Sequence, residues 1–191
     1  MDKVANTVGH YDAYRKIDTI EDKFVYELIN PEKTSDKFFI YRMDANILVR
    51  KVKADIAFID SPYNSRQYSR FYHVLENVAQ WKKPQLKGTA LKPQAENMSE
   101  YCRSSAPKVF ADLIENLNVQ YIVVTYNNEY NTKSSSSRNK ITLEEIKDVL
   151  SSKGQTAIYE KKHQCFNAGK TEFDNHKEYV FITKAGTNNG N

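Results

Sequence analysis

The stretch from Val119 to Tyr126 reads as a near-continuous apolar strand rich in β-branched and aromatic residues. A strand with one wet face alternates apolar and polar positions. One without that alternation is buried on both faces, as the strands of parallel sheets are. Asp55 to Ile59 is a second, shorter apolar segment of the same kind. Between and around them the period changes. Gln67 to Trp81 carries Phe71, Val74, Leu75 and Val78 at helical spacing, which predicts a helix with one buried face. Pro107 to Leu117 is a second amphipathic pattern, with Pro107 suited to a first turn. Strands alternating with helices predict an α/β architecture.

The flanks fit the same plan. Lys37 to Tyr41 is a short aromatic and β-branched run that predicts a strand, leading into a turn at Met43-Asp44-Ala45-Asn46. Ile47 to Val52 suits a short helix with Ile47, Leu48 and Val52 inward. Late in the chain, Thr142 with Glu145 makes a capping-box pattern, and Gly154 ends that helix. Gln155 to Lys161 and Glu178 to Thr183 then predict two strands, antiparallel to each other, joined by a loop around Gly169-Lys170-Thr171. At 191 residues the chain fits one domain, here 1–184, with a disordered tail at 185–191. No apolar run approaches the ~20 residues of a membrane span, and the first residues lack a signal-peptide core. With only Cys102 and Cys165, the expectation is a cytoplasmic protein with free thiols and no metal site.

Where the shorter strand ends, the chain reads Asp60-Ser61-Pro62-Tyr63-Asn64-Ser65-Arg66-Gln67-Tyr68. A carboxylate, a kinked backbone and an aromatic ring thereby sit at the C-terminal edge of a buried strand, where open α/β sheets hold their ligands. On its own, an Asp at a strand end followed by a proline is also an ordinary turn or cap. The nine residues together resemble the (Asp/Asn/Ser)-Pro-Pro-(Tyr/Phe/Trp) signature and its extension in adenine-specific (N6) DNA methyltransferases of bacterial type II restriction–modification systems. Ser61 stands where that family usually has its first proline. The resemblance extends to Asp2-Lys3-Val4-Ala5-Asn6-Thr7 with Tyr11-Asp12-Ala13-Tyr14. It also takes in Asp44-Ala45-Asn46, Trp81-Lys82-Lys83-Pro84 and Tyr126-Asn127-Asn128-Glu129.

That resemblance implies a chemistry. The lone pair of adenine's exocyclic nitrogen is delocalised into the ring, so a site must accept its N–H groups and hold it in line with the methyl of a sulfonium donor. The resemblance implies Asp60 and the Ser61 carbonyl as the two acceptors, with Pro62 fixing the turn and Tyr63 stacking on an extruded base. Asp44 and Asp60 are the implied residues near the cofactor, S-adenosyl-L-methionine. Asn64, Arg66, Gln67, Tyr68, Lys133 and Arg138 are the implied substrate contacts. Arg66 and Gln67 can equally cap the next helix, Asp44 can equally be a helix N-cap, and Asn127 and Asn128 read first as turn residues.

The net charge of +4 permits contact with a polyanion. Its distribution is more telling. Lys82, Lys83, Lys87, Lys92, Arg103 and Lys108 follow one strand, and Lys133, Arg138 and Lys140 follow the other, both at the edge where substrate is expected. The glycine-rich cofactor loop of the family has no counterpart, since Gly9, Gly88, Gly154, Gly169, Gly186 and Gly190 are all isolated. The implied fold is therefore the C-terminal half of a Rossmann-like methyltransferase sheet ending in an antiparallel strand pair. It would work with a second chain carrying the cofactor-binding half, or as a homo-oligomer, on DNA. Alternatives are an inactive remnant and a DNA-binding or specificity subunit without chemistry; RNA and cytosine-N4 substrates fit the pattern less well.

Overall fold

The computed structural model describes residues 27, 35–88, 92–128, 138–162 and 176–186. Its elements in chain order are α1 (Ala45–Leu48), β1 (Ile56–Ile59), α2 (Tyr68–Phe71), α3 (His73–Ala79), a 3-10 turn (Glu100–Cys102), α4 (Ala106–Asn116), β2 (Tyr121–Asn127), α5 (Leu143–Lys153), β3 (Gly154–Lys162) and β4 (Lys177–Ala185). The strands form one four-stranded sheet in the order β1-β2-β4-β3. β1 runs parallel to β2, with Ile59 opposite Val124. β4 runs antiparallel to both β2 and β3. Each of the last two strands extends slightly beyond its expected bounds, and Ala185, placed in a tail by the sequence, closes the ladder opposite Gly154.

One face of the sheet makes the core. Ile122, Val124 and Tyr126 of β2 and Phe181 of β4 pack against Phe110, Leu113 and Ile114 of α4 and Ile146 and Leu150 of α5. α5 is held at both ends as expected. Thr142 accepts from the Glu145 backbone N–H while the Glu145 side chain accepts from Thr142, and Gly154 is the C-cap. Such reciprocal capping satisfies donors that would otherwise be left unpaired, worth about 1 kcal/mol.

The opposite face is bare at β1. Ile56 is 60% exposed and Phe58 66%, and no described residue pairs with the outer edge of β1. The run 37–43 forms no strand among the described residues, and Ile40 is 95% exposed. An apolar, β-branched run becomes a strand only when a neighbour takes its hydrogen bonds, and none is available there. Ile47 is half exposed in place of the inward position expected, because the first helix starts two residues early, at Ala45.

The helix expected over residues 67–81 is broken in two at Tyr72. Its inward face is set by His73 and Val74, while Leu75 and Val78 are exposed, contrary to the periodicity. With two short helices in place of one, a single 3.6-residue stripe no longer describes which side is covered. The segments at 1–26, the loop around Gly169-Lys170-Thr171, Cys165 and residues 187–191 lie outside the described residues. Among the described residues no helix is long and apolar enough to cross a membrane.

Candidate active site

Because β1 and β2 are parallel and adjacent, their C-terminal ends reach the same edge of the sheet. The residues just past the register pair Ile59–Val124 are Asp60 and Thr125, and they touch: the Thr125 hydroxyl donates to Asp60 Oδ1 at 3.0 Å. The Tyr63 hydroxyl lies 3.4 Å from the same oxygen. No described residue donates to Asp60 Oδ2. The carboxylate is exposed at the mouth of a cavity of about 960 Å³ that runs along the free edge of β1. Asp44, Asp60, Ser61 and Pro62 all line that cavity, with Val52, Phe58 and Leu117 among its apolar walls. Asp44 also caps α1, accepting from the Ile47 backbone N–H at 3.1 Å, while still lining the cavity.

Tyr63 is half-buried beside this cavity and is not among its lining residues. Its ring packs on Tyr126, with centroids 4.7 Å apart and planes tilted by 58°. Burial, with the Glu178 and Asp60 carboxylates adding to it, holds its phenol well above the usual tyrosine range. The loop backbone is fastened behind it. The buried Tyr126 hydroxyl donates to the Tyr63 carbonyl at 3.0 Å and accepts from the Ile141 N–H at 3.2 Å. Lys140 donates its own N–H to the Tyr63 carbonyl at 2.8 Å. Burial pushes the Tyr126 phenol up to about 12 against the opposing effect of the Ile141 and Lys140 backbone groups.

The other sequence-derived candidates divide. Asn64 accepts from the Arg66 N–H at 3.0 Å and forms a bridge with Asn139, which brings the neighbouring, exposed Arg138 beside the loop. Arg66 is exposed on the same loop, and Tyr68 is exposed at the start of α2. Gln67 is different: it is buried, donating to the Ser99 carbonyl at 2.8 Å and accepting from the Ser99 N–H at 2.7 Å. Its amide ties the loop down and faces no substrate, because a buried amide needs both partners. Lys133 lies outside the described residues. Ser61 Oγ is buried without a hydrogen-bond partner among the described residues. Asn127 and Asn128 are strand-end structure: Asn127 accepts from Asn139, and Asn128 brackets Lys177. The sequence alone did not single out Thr125; its signal is only that it ends the strand parallel to the one carrying Asp60.

The family model described as D12 class N6 adenine-specific DNA methyltransferase matches residues 1–165, most of the chain. The chain belongs to that family. Similar curated methyltransferases include the Type II methyltransferase M.NlaIII of Neisseria lactamica, 33% identical over 192 residues, covering 95% of this chain and 54% of that protein. The modification methylase StsI of Streptococcus sanguinis is 39% identical over 136 residues, covering 66% of this chain and 20% of that protein. The Type II methyltransferase M.FokI of Planomicrobium okeanokoites is 37% identical over 147 residues, covering 74% of this chain and 21% of that protein. The chain thus spans about half the length of the first of these relatives, and a smaller share of the others. No solved structure matches it.

A D12-class methyltransferase uses a methyl donor, and the described residues fit one only in part. Asp44 and the apolar walls of the β1 groove are the residues that would line one side of its site. Gly88, Gly154 and Gly186, the glycines among the described residues, are all outside the cavity lining.

Proposed function

We propose that this chain is the catalytic half of an enzyme that methylates the exocyclic N6 amine of adenine in double-stranded DNA, with S-adenosyl-L-methionine as donor, in a cytoplasmic restriction–modification system. The observation that carries this reading is the Asp60 carboxylate. One oxygen is fixed by hydroxyl groups and the other has no described donor, at the mouth of a groove shared with Asp44. When bound, the cofactor supplies an electrophilic methyl group.

The chain's own residues supply the rest. Asp60 Oδ2 accepts one N–H of the target amine and the Ser61 carbonyl the other, drawing the nitrogen lone pair out of conjugation. Pro62 fixes the turn that places these acceptors, and Tyr63 lies beside the base, which reaches such a site by leaving its stack. Asn64, Arg66, Tyr68 and Arg138 cluster on the loop side, where phosphate contacts set register. Asp44 stands at the cofactor side of the groove.

The architecture is read as part of a Rossmann-like sheet, forming a single domain. Its bare β1 edge and the exposed Ile56 and Phe58 support a cofactor-binding half as the cover. An edge strand left unpaired is otherwise a site of unwanted pairing. The test is transfer of labelled methyl groups to adenine-containing duplex DNA, in the presence of the cofactor-binding half. Asp60→Ala should lower the rate by about 10²–10³-fold, in line with removal of one preorganised polar group. Methylation that survives Asp60→Ala sinks this reading and favours a DNA-binding subunit without chemistry.

A further inference from the structure

The Thr125 hydroxyl makes the shortest contact to the Asp60 side chain, 3.0 Å to Oδ1. A threonine hydroxyl carries one hydrogen and can donate once. The Ile59 carbonyl lies farther off, at 3.5 Å, and the Tyr63 hydroxyl, its other neighbour, is uncharged, so the bond goes to the carboxylate at 3.0 Å. Bonds to ionised acceptors are shorter and stronger than neutral ones. β2 is a rigid platform for this donor: Val124 and Tyr126 on either side are fully buried, and the strand pairs with both β1 and β4. Asp60, by contrast, is exposed and lies just past the last residue of β1. Its side chain has no packing to choose a rotamer for it.

We propose that Thr125 is a positioning residue: its hydroxyl, backed by the Tyr63 hydroxyl, holds Asp60 Oδ1 so that Oδ2 alone faces the amine to be methylated. This rests on the functional reading above. The consequence is a division of labour within one carboxylate. A side chain free to rotate would present either oxygen, at varying height, and lose the alignment on which in-line transfer depends. A misplacement of about 1 Å at such a centre costs up to about 10²-fold in rate.

The experiment compares Thr125→Val, which keeps the shape and removes the hydroxyl, with Thr125→Ser, which keeps the hydroxyl. Steady-state kinetics are measured on duplex DNA with the cofactor-binding half present, and both variants are crystallised. Thr125→Val should lower kcat about 10–100-fold with the DNA KM within about twofold, and Thr125→Ser should restore most of the rate. In the crystal, the Asp60 carboxylate should leave its place in Thr125→Val and keep it in Thr125→Ser. Should Thr125→Val fail to fold, Thr125→Ala serves in its place. A Thr125→Val enzyme with unchanged kcat, or an Asp60 carboxylate that does not move, overturns the proposal. Activity that persists in Asp60→Ala overturns the functional reading instead, so the two failures are told apart.

Discussion

Tyr126→Phe isolates the fastening behind the catalytic loop. The substitution removes one oxygen from a fully buried ring and leaves the ring's packing on Tyr63 intact. Two bonds go with it: the donation to the Tyr63 carbonyl and the acceptance from the Ile141 N–H. The losses are unequal. The Tyr63 carbonyl keeps its bond from Lys140, so its loss is the net worth of one hydrogen bond, about 0.5–1.5 kcal/mol. The Ile141 N–H is buried and keeps no other described acceptor, so it bears a desolvation penalty of about 1–3 kcal/mol. Together the expected destabilisation is about 1.5–4.5 kcal/mol, which in a protein of this size lowers Tm by roughly 3–18 °C. Urea titration at fixed protein concentration measures it, and the slope with denaturant should not change, since the surface exposed on unfolding is the same. A variant within about 0.5 kcal/mol of the parent would refute the reasoning, because it would mean that the Ile141 N–H finds water or another acceptor without difficulty.

Alkaline pH tests the same burial by another route. The folded-state pKa of Tyr126 is raised to about 12, so the unfolded chain releases this proton first. Stability should be level below about pH 10 and then fall between about pH 10 and 12, by up to ~1.4 kcal/mol per pH unit from this group, as followed by circular dichroism. Tyr63 and Tyr101, also raised chiefly by burial, should extend the loss to higher pH, and a stability that stays flat to pH 12 would contradict the burial of all three. Ser61→Ala should be neutral or stabilising by up to about 1 kcal/mol in the same titration, because the hydroxyl removed is buried without a described partner. A clear loss of stability would mean that Oγ has an acceptor after all.

The parts of the molecule legible in the sequence are those where local chemistry and tertiary packing agree. Tyr121–Asn127 is a strand in the sheet interior, though only its Ile122, Val124 and Tyr126 face is fully buried rather than both faces, and the Thr142–Glu145 box is local by construction. Misreadings fall where the outcome depends on a distant partner. Residues 37–41 have the composition of a strand and no described neighbour to pair with. Leu75 and Val78 have helical spacing, but the break at Tyr72 turns them outward. At the site, Asp60 and Asp44 line one cavity, and in the sequence it is a motif that singles them out. Gln67 was misjudged because a polar residue in a loop looks exposed until the Ser99 backbone closes on it. Thr125 was invisible for a related reason: its contact with Asp60 comes from strand register, which places the two side by side across 65 residues of chain.

The apolar side chains that stand in solvent along β1 carry a consequence for anyone who handles this protein. Ile56 and Phe58 are worth about 1–2 kcal/mol each if sheltered from water, so any species that shelters them lowers the free energy of the folded form. Melting temperature then ceases to be a constant of the molecule. It rises with the concentration of whatever binds there, including, at high enough dose, further copies of the same polypeptide.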